Sequence, residues 1–224
     1  MGGASNESPD FRLVRRFLRS RIARLGIRLR KSLYARKPVN PRRILLFSVF
    51  GIGDALMQTP EIDLLKKRFP ESRITVVARR KNREVFIHNQ AVDEILLYHN
   101  HDFKGQSLLE FWLNLKSICF SRGYDLALLD VAGGKLRGKI AAILFGARYI
   151  ISDGLSKPEE NSLADELVFC GEGLHWVERN AALLENSVTG FESVPFTSLK
   201  PSIKFTNREI ENADEFFRLH HIDP

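Results

Sequence analysis

The chain has 224 residues, of which 44% are hydrophobic, and a formal net charge of +7. It is long enough to bury an ordinary core, and it contains no apolar run of the roughly 18 residues that a membrane-spanning helix requires. Its two cysteines, Cys119 and Cys170, are too few for a disulfide framework or a zinc site, so we expect both to be structural in a reducing cytosol.

The positive charge is concentrated at the start of the chain. Residues 1–43 contain 13 Lys/Arg and 2 Asp/Glu, a net of +11, and residues 44–224 contain 21 Lys/Arg and 25 Asp/Glu, a net of −4. A nucleic-acid-binding domain usually carries a basic face. The mildly acidic composition of the larger part therefore argues against nucleic acid as its partner.

Residues 11–37 have the pattern of a basic amphipathic helix. From Phe11 to Leu33, apolar side chains recur at steps of three and four residues, and arginines occupy much of the remaining surface. We predict that this helix lies on an anionic membrane surface. The alternatives are a helix that packs on the body or on a partner, and one that binds nucleic acid. The residues assigned to the lipid phosphates are Arg12, Arg15, Arg16 and Arg19.

Two shorter segments flank this helix. Residues 1–10 are rich in Gly, Ser and Asn and are predicted to be disordered, and residues 37–41 contain two prolines that stop the helix and form a linker. Residues 1–41 are therefore interpreted as an appendage, and the folded domain is expected to start at about Arg42.

From residue 42 onward, short apolar runs alternate with amphipathic helical segments. This order is typical of a doubly wound, mostly parallel sheet. We predict a Rossmann-like α/β domain over residues 42–205, followed by a helical segment over residues 206–224. The predicted strands are 44–49, 73–78, 94–98, 125–130, 147–152 and 166–169. The predicted helices are 54–69, with a break near Thr59, and 82–88, 105–121, 135–145, 174–187 and 207–220.

The first strand runs into the turn Gly51-Ile52-Gly53-Asp54. Glycines permit positive φ and a close approach of backbone to a ligand, and the space beyond such a strand is where open α/β sheets bind ligands. The dinucleotide fingerprint needs a third small residue where this chain has Leu56. NAD or FAD binding is therefore not favoured, although a nucleotide-binding Rossmann protein stays open as an alternative.

Asp54 has two compatible interpretations. Aspartate is a favoured N-cap, and negative charge at a helix N-terminus is stabilising. A carboxylate at this edge of the sheet can also act as a general base that takes a proton from a substrate hydroxyl. His175 is expected to have a capping or structural role, and Trp112 and Trp176 are assigned to the core.

The strand and turn at residues 44–60, which end in Gly-Asp-Ala-Leu-Met-Gln-Thr-Pro, resemble the opening of the family 9 glycosyltransferases, the heptosyltransferases of lipopolysaccharide core assembly and their relatives. Three later segments resemble the same family in the same order. They are residues 89–95 with Val-Asp-Glu, residues 145–151 with Gly-Ala, and residues 175–180, which open a helix. The resemblance extends over about residues 42–224.

The resemblance implies the N-terminal half of a two-domain GT-B fold. In that fold the N-terminal domain binds the acceptor sugar, the C-terminal domain binds a nucleotide-sugar donor such as ADP-heptose, and no metal or other cofactor is needed. Asp54 would be the general base, and Gly51 and Gly53 would shape the floor of the acceptor pocket. Lys135 and Arg137 would hold acceptor phosphates or carboxylates, with Lys139 on the same helix. The Gly-Gly-Lys at residues 133–135 departs from the family's Arg-Ser type pair.

The expected function is transfer of a sugar to a lipopolysaccharide-core or other cell-envelope glycan. The enzyme would be cytoplasmic and peripheral at the inner membrane face of a bacterium, with a glycan or glycolipid acceptor and no nucleic acid as partner. The donor domain would be missing from these 224 residues, so we expect a truncated chain that is inactive alone. The alternative is a non-catalytic, membrane-associated Rossmann-like module in which Asp54 only caps a helix.

Overall fold

The computed structural model describes residues 32, 36–49, 51–98, 123–129, 136–154, 163–170, 173–188, 191 and 194–220. The predicted helix 105–121 lies outside the described residues, as does nearly all of the predicted basic helix 11–37, including Arg12, Arg15, Arg16 and Arg19. Lys135 also lies outside them.

Six strands form one sheet in the order β3-β2-β1-β4-β5-β6, and every pair of neighbours is parallel. The predicted doubly wound α/β sheet is therefore confirmed, and in the described part of the chain it is wholly parallel. The strands are β1 Arg43–Ser48, β2 Arg73–Arg79, β3 Glu94–Tyr98, β4 Tyr124–Leu129, β5 Ala147–Asp153 and β6 Glu166–Val168.

The described helices follow the strands in alternation. They are α1 Ile52–Met57, α2 Thr59–Arg68, α3 Arg83–Phe86, α4 Leu136–Leu144, α5 Trp176–Ser187 and α6 Asn207–Leu219, with 3₁₀ turns at Arg80–Asn82 and Phe196–Ser198. Within these ranges, none of the helices combines the length and apolar character that crossing a bilayer would take.

The predicted break near Thr59 is confirmed. Gln58 separates α1 from α2, and Pro60 lies at the start of α2, where its missing N–H costs no helical hydrogen bond. The Thr59 hydroxyl donates to the carbonyl of Leu56 at 2.9 Å. One long helix is thus replaced by two shorter ones.

The core lies on both faces of the sheet because β1 is buried on both sides. Ile44 and Leu46 pack with side chains of α2, α3 and α5, whereas Leu45 and Phe47 pack with side chains of α4. Successive side chains of a strand point to opposite faces. Fully buried parallel strands are therefore near-continuous apolar runs, as residues 44–47 are.

Carboxylates pin the amino ends of the strands. Asp125 accepts from the N–H groups of Arg42 and Arg43 at 2.9 and 3.1 Å, and Asp93 accepts from the N–H of Ile74 at 2.8 Å. Asp165 accepts from the N–H of Ile150 at 2.9 Å. Each bond ties one strand to the segment that leads into, or begins, its neighbour. Because these bonds help to set the register of neighbouring strands, they also help to determine which residues lie at the opposite, carboxyl ends of the strands.

Candidate functional site

The carboxyl edge of the sheet at β1 is the candidate site. The chain passes from β1 to β2 on one side, and β4 pairs with β1 on the other, so the strand order reverses direction at β1. Such a reversal opens a crevice at the carboxyl ends of the strands. The segment that leads out of β1 lies at this crevice, and the segment that leads out of β2 lies beside it.

Asp54 is the third residue of α1 and not its N-cap. The N-cap is Gly51, in extended conformation with φ −79° and ψ 169°. The expectation that Asp54 is the N-cap is therefore wrong, because the helix begins two residues before Asp54, at Ile52. Asp54 Oδ2 accepts from the N–H of Gly51 at 2.7 Å. Among the described residues, its Oδ1 has no hydrogen-bond partner. One oxygen is thus fixed and the other is available to a ligand.

The two glycines of the turn do different things. Neither glycine has a positive φ, so the positive φ expected of this turn is not observed. A Cβ on Gly51 would lie 3.1 Å from Asp54 Oδ2, which is tight, whereas a Cβ on Gly53 would meet nothing within 4 Å in the described structure. Gly51 makes room for the carboxylate. Gly53 is exposed and leaves the backbone of α1 bare.

Two buried amides hold the end of β1. Gln58 Nε2 donates to the carbonyl of Phe47 at 3.0 Å, and Asn82 Nδ2 donates to the carbonyl of Ser48 at 3.1 Å. Gln58 is 3% exposed and Asn82 is fully buried. Buried amides that satisfy strand carbonyls rigidify their surroundings. Sequence reasoning missed both residues. The available signal was a polar Gln58 beside apolar helical residues and an uncharged Asn82 among four cations.

A basic segment after β2 was also missed. We call residues 79–83, Arg79-Arg80-Lys81-Asn82-Arg83, the basic turn. Ser48 pairs with Ala78, and α1 packs against the 3₁₀ turn Arg80–Asn82. The basic turn therefore lies beside the turn that carries Asp54. Its signal in the sequence was four cations in five residues directly after a predicted strand.

A second polar cluster lies at the carboxyl end of β5. Arg179 Nη2 contacts Asp153 Oδ2 at 3.2 Å, and both side chains are largely buried. The thiol of Cys170 lies 3.4 Å from the carbonyl of Arg179. Burial, with the nearby Asp153 carboxylate, raises the pKa of Cys170 to about 11. A thiol with this pKa is inert near neutral pH, which agrees with the structural role expected for Cys170.

The start of α5 reaches the same edge. His175 is its N-cap, because Nδ1 accepts from the N–H of Val177 at 3.4 Å and Glu178 accepts from the N–H of His175 at 2.8 Å. The expected capping role of His175 is confirmed. Trp176 is 38% exposed, so its assignment to the core is wrong. Asn180 Nδ2 reaches the carbonyl of Met57 at 3.5 Å and joins α5 to α1.

The residues predicted after β4 are only partly described. Arg137 is the second residue of α4, with no description of its side chain, and Lys135 lies outside the described residues. Lys139 is fully buried, so its side chain is not exposed on the surface of α4. Within the described ranges, no three His, Cys, Asp or Glu side chains are grouped as metal ligands.

No family model matches the sequence, and no curated protein matches it either. Solved structures do match. A family 9 glycosyl transferase from Veillonella parvula is 22% identical with a TM-score of 0.64, over 81% of this chain and 51% of that one. The E. coli ADP-heptose lps heptosyltransferase II is 18% identical with a TM-score of 0.60, over 78% and 50%. An E. coli heptosyltransferase solved with ADP is 16% identical with a TM-score of 0.56, over 72% and 51%.

These likenesses concern the fold, and they agree with the resemblance read from the turn at residues 44–60. The chain spans about half the length of the structures that it matches. Its sheet is the Rossmann-like half of a GT-B fold. The described part of the chain therefore has the fold of the matched half of these family 9 glycosyl transferase and heptosyltransferase structures.

Proposed function

We propose that this chain is the acceptor-binding half of a glycosyltransferase, in which Asp54 is the general base. The sugar would come from a nucleotide-sugar donor such as ADP-heptose and go to a lipopolysaccharide-core or other cell-envelope glycan. The observation that carries the proposal is the Asp54 carboxylate, held through one oxygen at the carboxyl edge of β1 with the other oxygen available. The likeness to structures named as glycosyl and heptosyl transferases supports it.

The proposed step is a displacement at the anomeric carbon of the donor. The acceptor hydroxyl oxygen forms the new glycosidic bond, the bond from the anomeric carbon to the nucleoside diphosphate breaks, and the hydroxyl proton passes to Asp54 Oδ1. The N–H of Gly51 holds Oδ2 at 2.7 Å and so orients the receiving oxygen. A base held in this way works mainly through position. The proposed reaction uses no metal.

The acceptor would lie over the bare backbone of α1. Gly53 leaves room there, and Gly51 leaves room for the carboxylate. Lys135 and Arg137 remain our proposed contacts for acceptor phosphates or carboxylates on the β4 side, because guanidinium and ammonium groups make charge-assisted hydrogen bonds to oxyanions.

The donor would be bound by a complementary half. These residues span about half the length of the solved transferases, so we propose that a donor-binding domain completes the active site and that the 224-residue chain alone transfers nothing. We further propose that residues 11–37 place the enzyme at the inner membrane face, where a lipid-linked acceptor lies. The support for this placement is the charge pattern of the sequence.

The test is Asp54→Asn in the chain supplied with a donor-binding half. We expect sugar transfer to fall by about 10²–10⁴-fold with an unchanged thermal midpoint, because the amide oxygen of asparagine can still accept from Gly51. Asp63→Asn is the matched control, since Asp63 is exposed on α2. Unchanged transfer by Asp54→Asn would reject Asp54 as the base, and absence of transfer by the wild-type chain under the same conditions would favour the non-catalytic module.

A further inference from the structure

The basic turn concentrates positive charge at one point of the carboxyl edge. Arg79, Arg80, Lys81 and Arg83 fall within five residues. Arg83 contacts Glu84 at 3.4 Å, but the Arg83 and Glu84 side chains are 43% and 71% exposed, and exposed pairs of this kind are weak. Arg80 and Lys81 are exposed, and their side chains have no hydrogen bond or ion pair within the described structure. The side chains of Arg80 and Lys81 are therefore available to an outside anion.

The backbone of the basic turn is held in place. Asn82, in its middle, is fully buried and donates to the carbonyl of Ser48 at 3.1 Å. Val85 and Phe86, which follow in α3, are buried in the core. The cations thus lie on a turn whose backbone is already ordered. Ligand binding therefore has no further entropy cost for ordering this backbone.

The position of the basic turn relates it to Asp54. Ser48 and Ala78 are register partners at the ends of β1 and β2, and neighbouring strands lie about 4.8 Å apart. The chain enters α1, which carries Asp54, after β1 and enters the basic turn after β2, and α1 packs on the 3₁₀ turn Arg80–Asn82 within the basic turn. One small ligand can therefore span both.

The ligand chemistry follows from the side chains. Guanidinium groups match phosphate and carboxylate oxygens through paired N–H donors, and lysine adds a compact positive charge. Exposed cations elsewhere in the chain serve as a comparison. Arg208 and Arg218 are exposed on α6, which has no buried residue.

We propose that the basic turn is an anion subsite that holds a phosphate or carboxylate group of the acceptor sugar beside Asp54. This inference rests on the proposed function, since it assigns the substrate of that function to the class of anionic sugars. It places an anion contact on the β2 side of Asp54, opposite the Lys135 and Arg137 side. Arg80 and Lys81 are its principal contacts.

The test is a titration of the full chain with inorganic phosphate, followed through the backbone amide NMR signals of Gly53 and of the basic turn. Site-resolved signals are needed because residues 1–43, with 13 Lys/Arg, also attract phosphate. We expect Arg80→Gln/Lys81→Gln to weaken the phosphate response at these amides by fivefold or more. Arg208→Gln/Arg218→Gln, which removes the same charge, should change it by less than twofold. Equal responses of the two variants would overturn the subsite.

A second arm separates a sugar phosphate from a lipid headgroup. Vesicles of phosphatidylglycerol should bind both variants alike if the subsite serves the acceptor. Vesicle binding lost only in Arg80→Gln/Lys81→Gln, with an unchanged phosphate response, would overturn it. Asp54→Asn should keep the phosphate response. The subsite and the general base can therefore fail independently.

Discussion

Gly53 lowers the stability of α1 but leaves room for the proposed acceptor. It lies in the first turn of α1, is exposed, and would tolerate a Cβ with no atom within 4 Å in the described structure. Glycine inside a helix costs roughly 0.5–1 kcal/mol relative to alanine. No packing contact in the described structure requires glycine at this position. We infer that a bound acceptor contacts the backbone that Gly53 leaves uncovered.

We therefore expect Gly53→Ala to raise the free energy of unfolding by about 0.4–1 kcal/mol and to weaken transfer in the complemented enzyme. Urea unfolding of the chain and the acceptor KM are the two measurements. Gly51→Ala is the matched comparison: its Cβ would press on Asp54 Oδ2 at 3.1 Å, so no gain in stability is expected. A Gly53→Ala protein that is less stable, or that is as active as the wild type, would contradict this account.

Among the elements, α6 depends most on its own cap, because none of its residues is buried. Thr206 Oγ1 accepts from the N–H of Glu209 at 3.2 Å, and Glu209 Oε2 accepts from the N–H of Thr206 at 2.7 Å. Hydrogen bonds from the backbone and side chain of Thr206 lower the pKa of Glu209 below its ordinary value of 4.5, with a smaller contribution from His88. Since the folded pKa is lowered, this stabilisation is present above pH 4.5 and is lost as the pH falls through the folded pKa.

We expect Thr206→Ala to lower the stability of α6 by about 1 kcal/mol. This corresponds to about fivefold faster hydrogen exchange of the α6 amides. The amides of the sheet should be unchanged, because α6 buries nothing. Lowering the pH from 6 to 3 should also loosen α6 in the wild type, and should do so less in the variant, where Glu209 has lost its partner. A shift of the sheet amides together with α6, or a pH response equal in the two proteins, would argue against a local cap.

At the same scale, the inner strands could be predicted from the sequence because β1, β2, β4 and β5 are largely buried on both faces and are mostly apolar. The fourth and fifth strands were placed within one residue of β4 and β5. The start of α1 was misjudged because Gly51 caps it through backbone geometry and Asp54 acts from the third helical position. Trp176 was assigned to the core, but the side of α5 that meets solvent depends on how α5 packs.

The neighbours of Asp54 were harder to predict because they depend on strand order. Alternating strands and helices predict a parallel sheet, but they do not say that β2 and β4 flank β1. The hydrogen bonds from Gln58 and Asn82 to the carbonyls of β1 join separate elements. The adjacency of the basic turn and Asp54 is likewise visible only once β1 and β2 are seen to pair.

At the scale of the whole molecule, charge divides the chain into unlike parts. Residues 1–43 have a net charge of +11 and the remainder −4. Basic residues near an anionic bilayer contribute about 1 kcal/mol each, and this attraction weakens as salt is added. Any membrane attachment should therefore be electrostatic and confined to the start of the chain.

We expect replacement of Arg12, Arg15, Arg16 and Arg19 by glutamine to weaken binding to phosphatidylglycerol vesicles by about 100-fold or more at low salt. Binding to phosphatidylcholine vesicles should be weak throughout. The control replaces four exposed cations of the body, Lys67, Lys200, Lys204 and Arg208. Co-sedimentation across a salt series measures both. Equal losses in the two sets would show that net charge alone, and not the segment 11–37, attracts the membrane.

The central position of β1 also bears on how the polypeptide is made. Arg43 pairs with Arg73, 30 residues later, whereas Ile44 pairs with Leu126, 82 residues later. Closing the longer loop costs about 0.9 kcal/mol more in chain entropy. On the ribosome, β1 to β3 can assemble once β3 has emerged, but the other side of β1 stays unpaired until β4 follows. A nascent chain thus exposes an apolar strand edge until β4 is synthesised. Chaperones that cover such edges would protect it from aggregation during that interval.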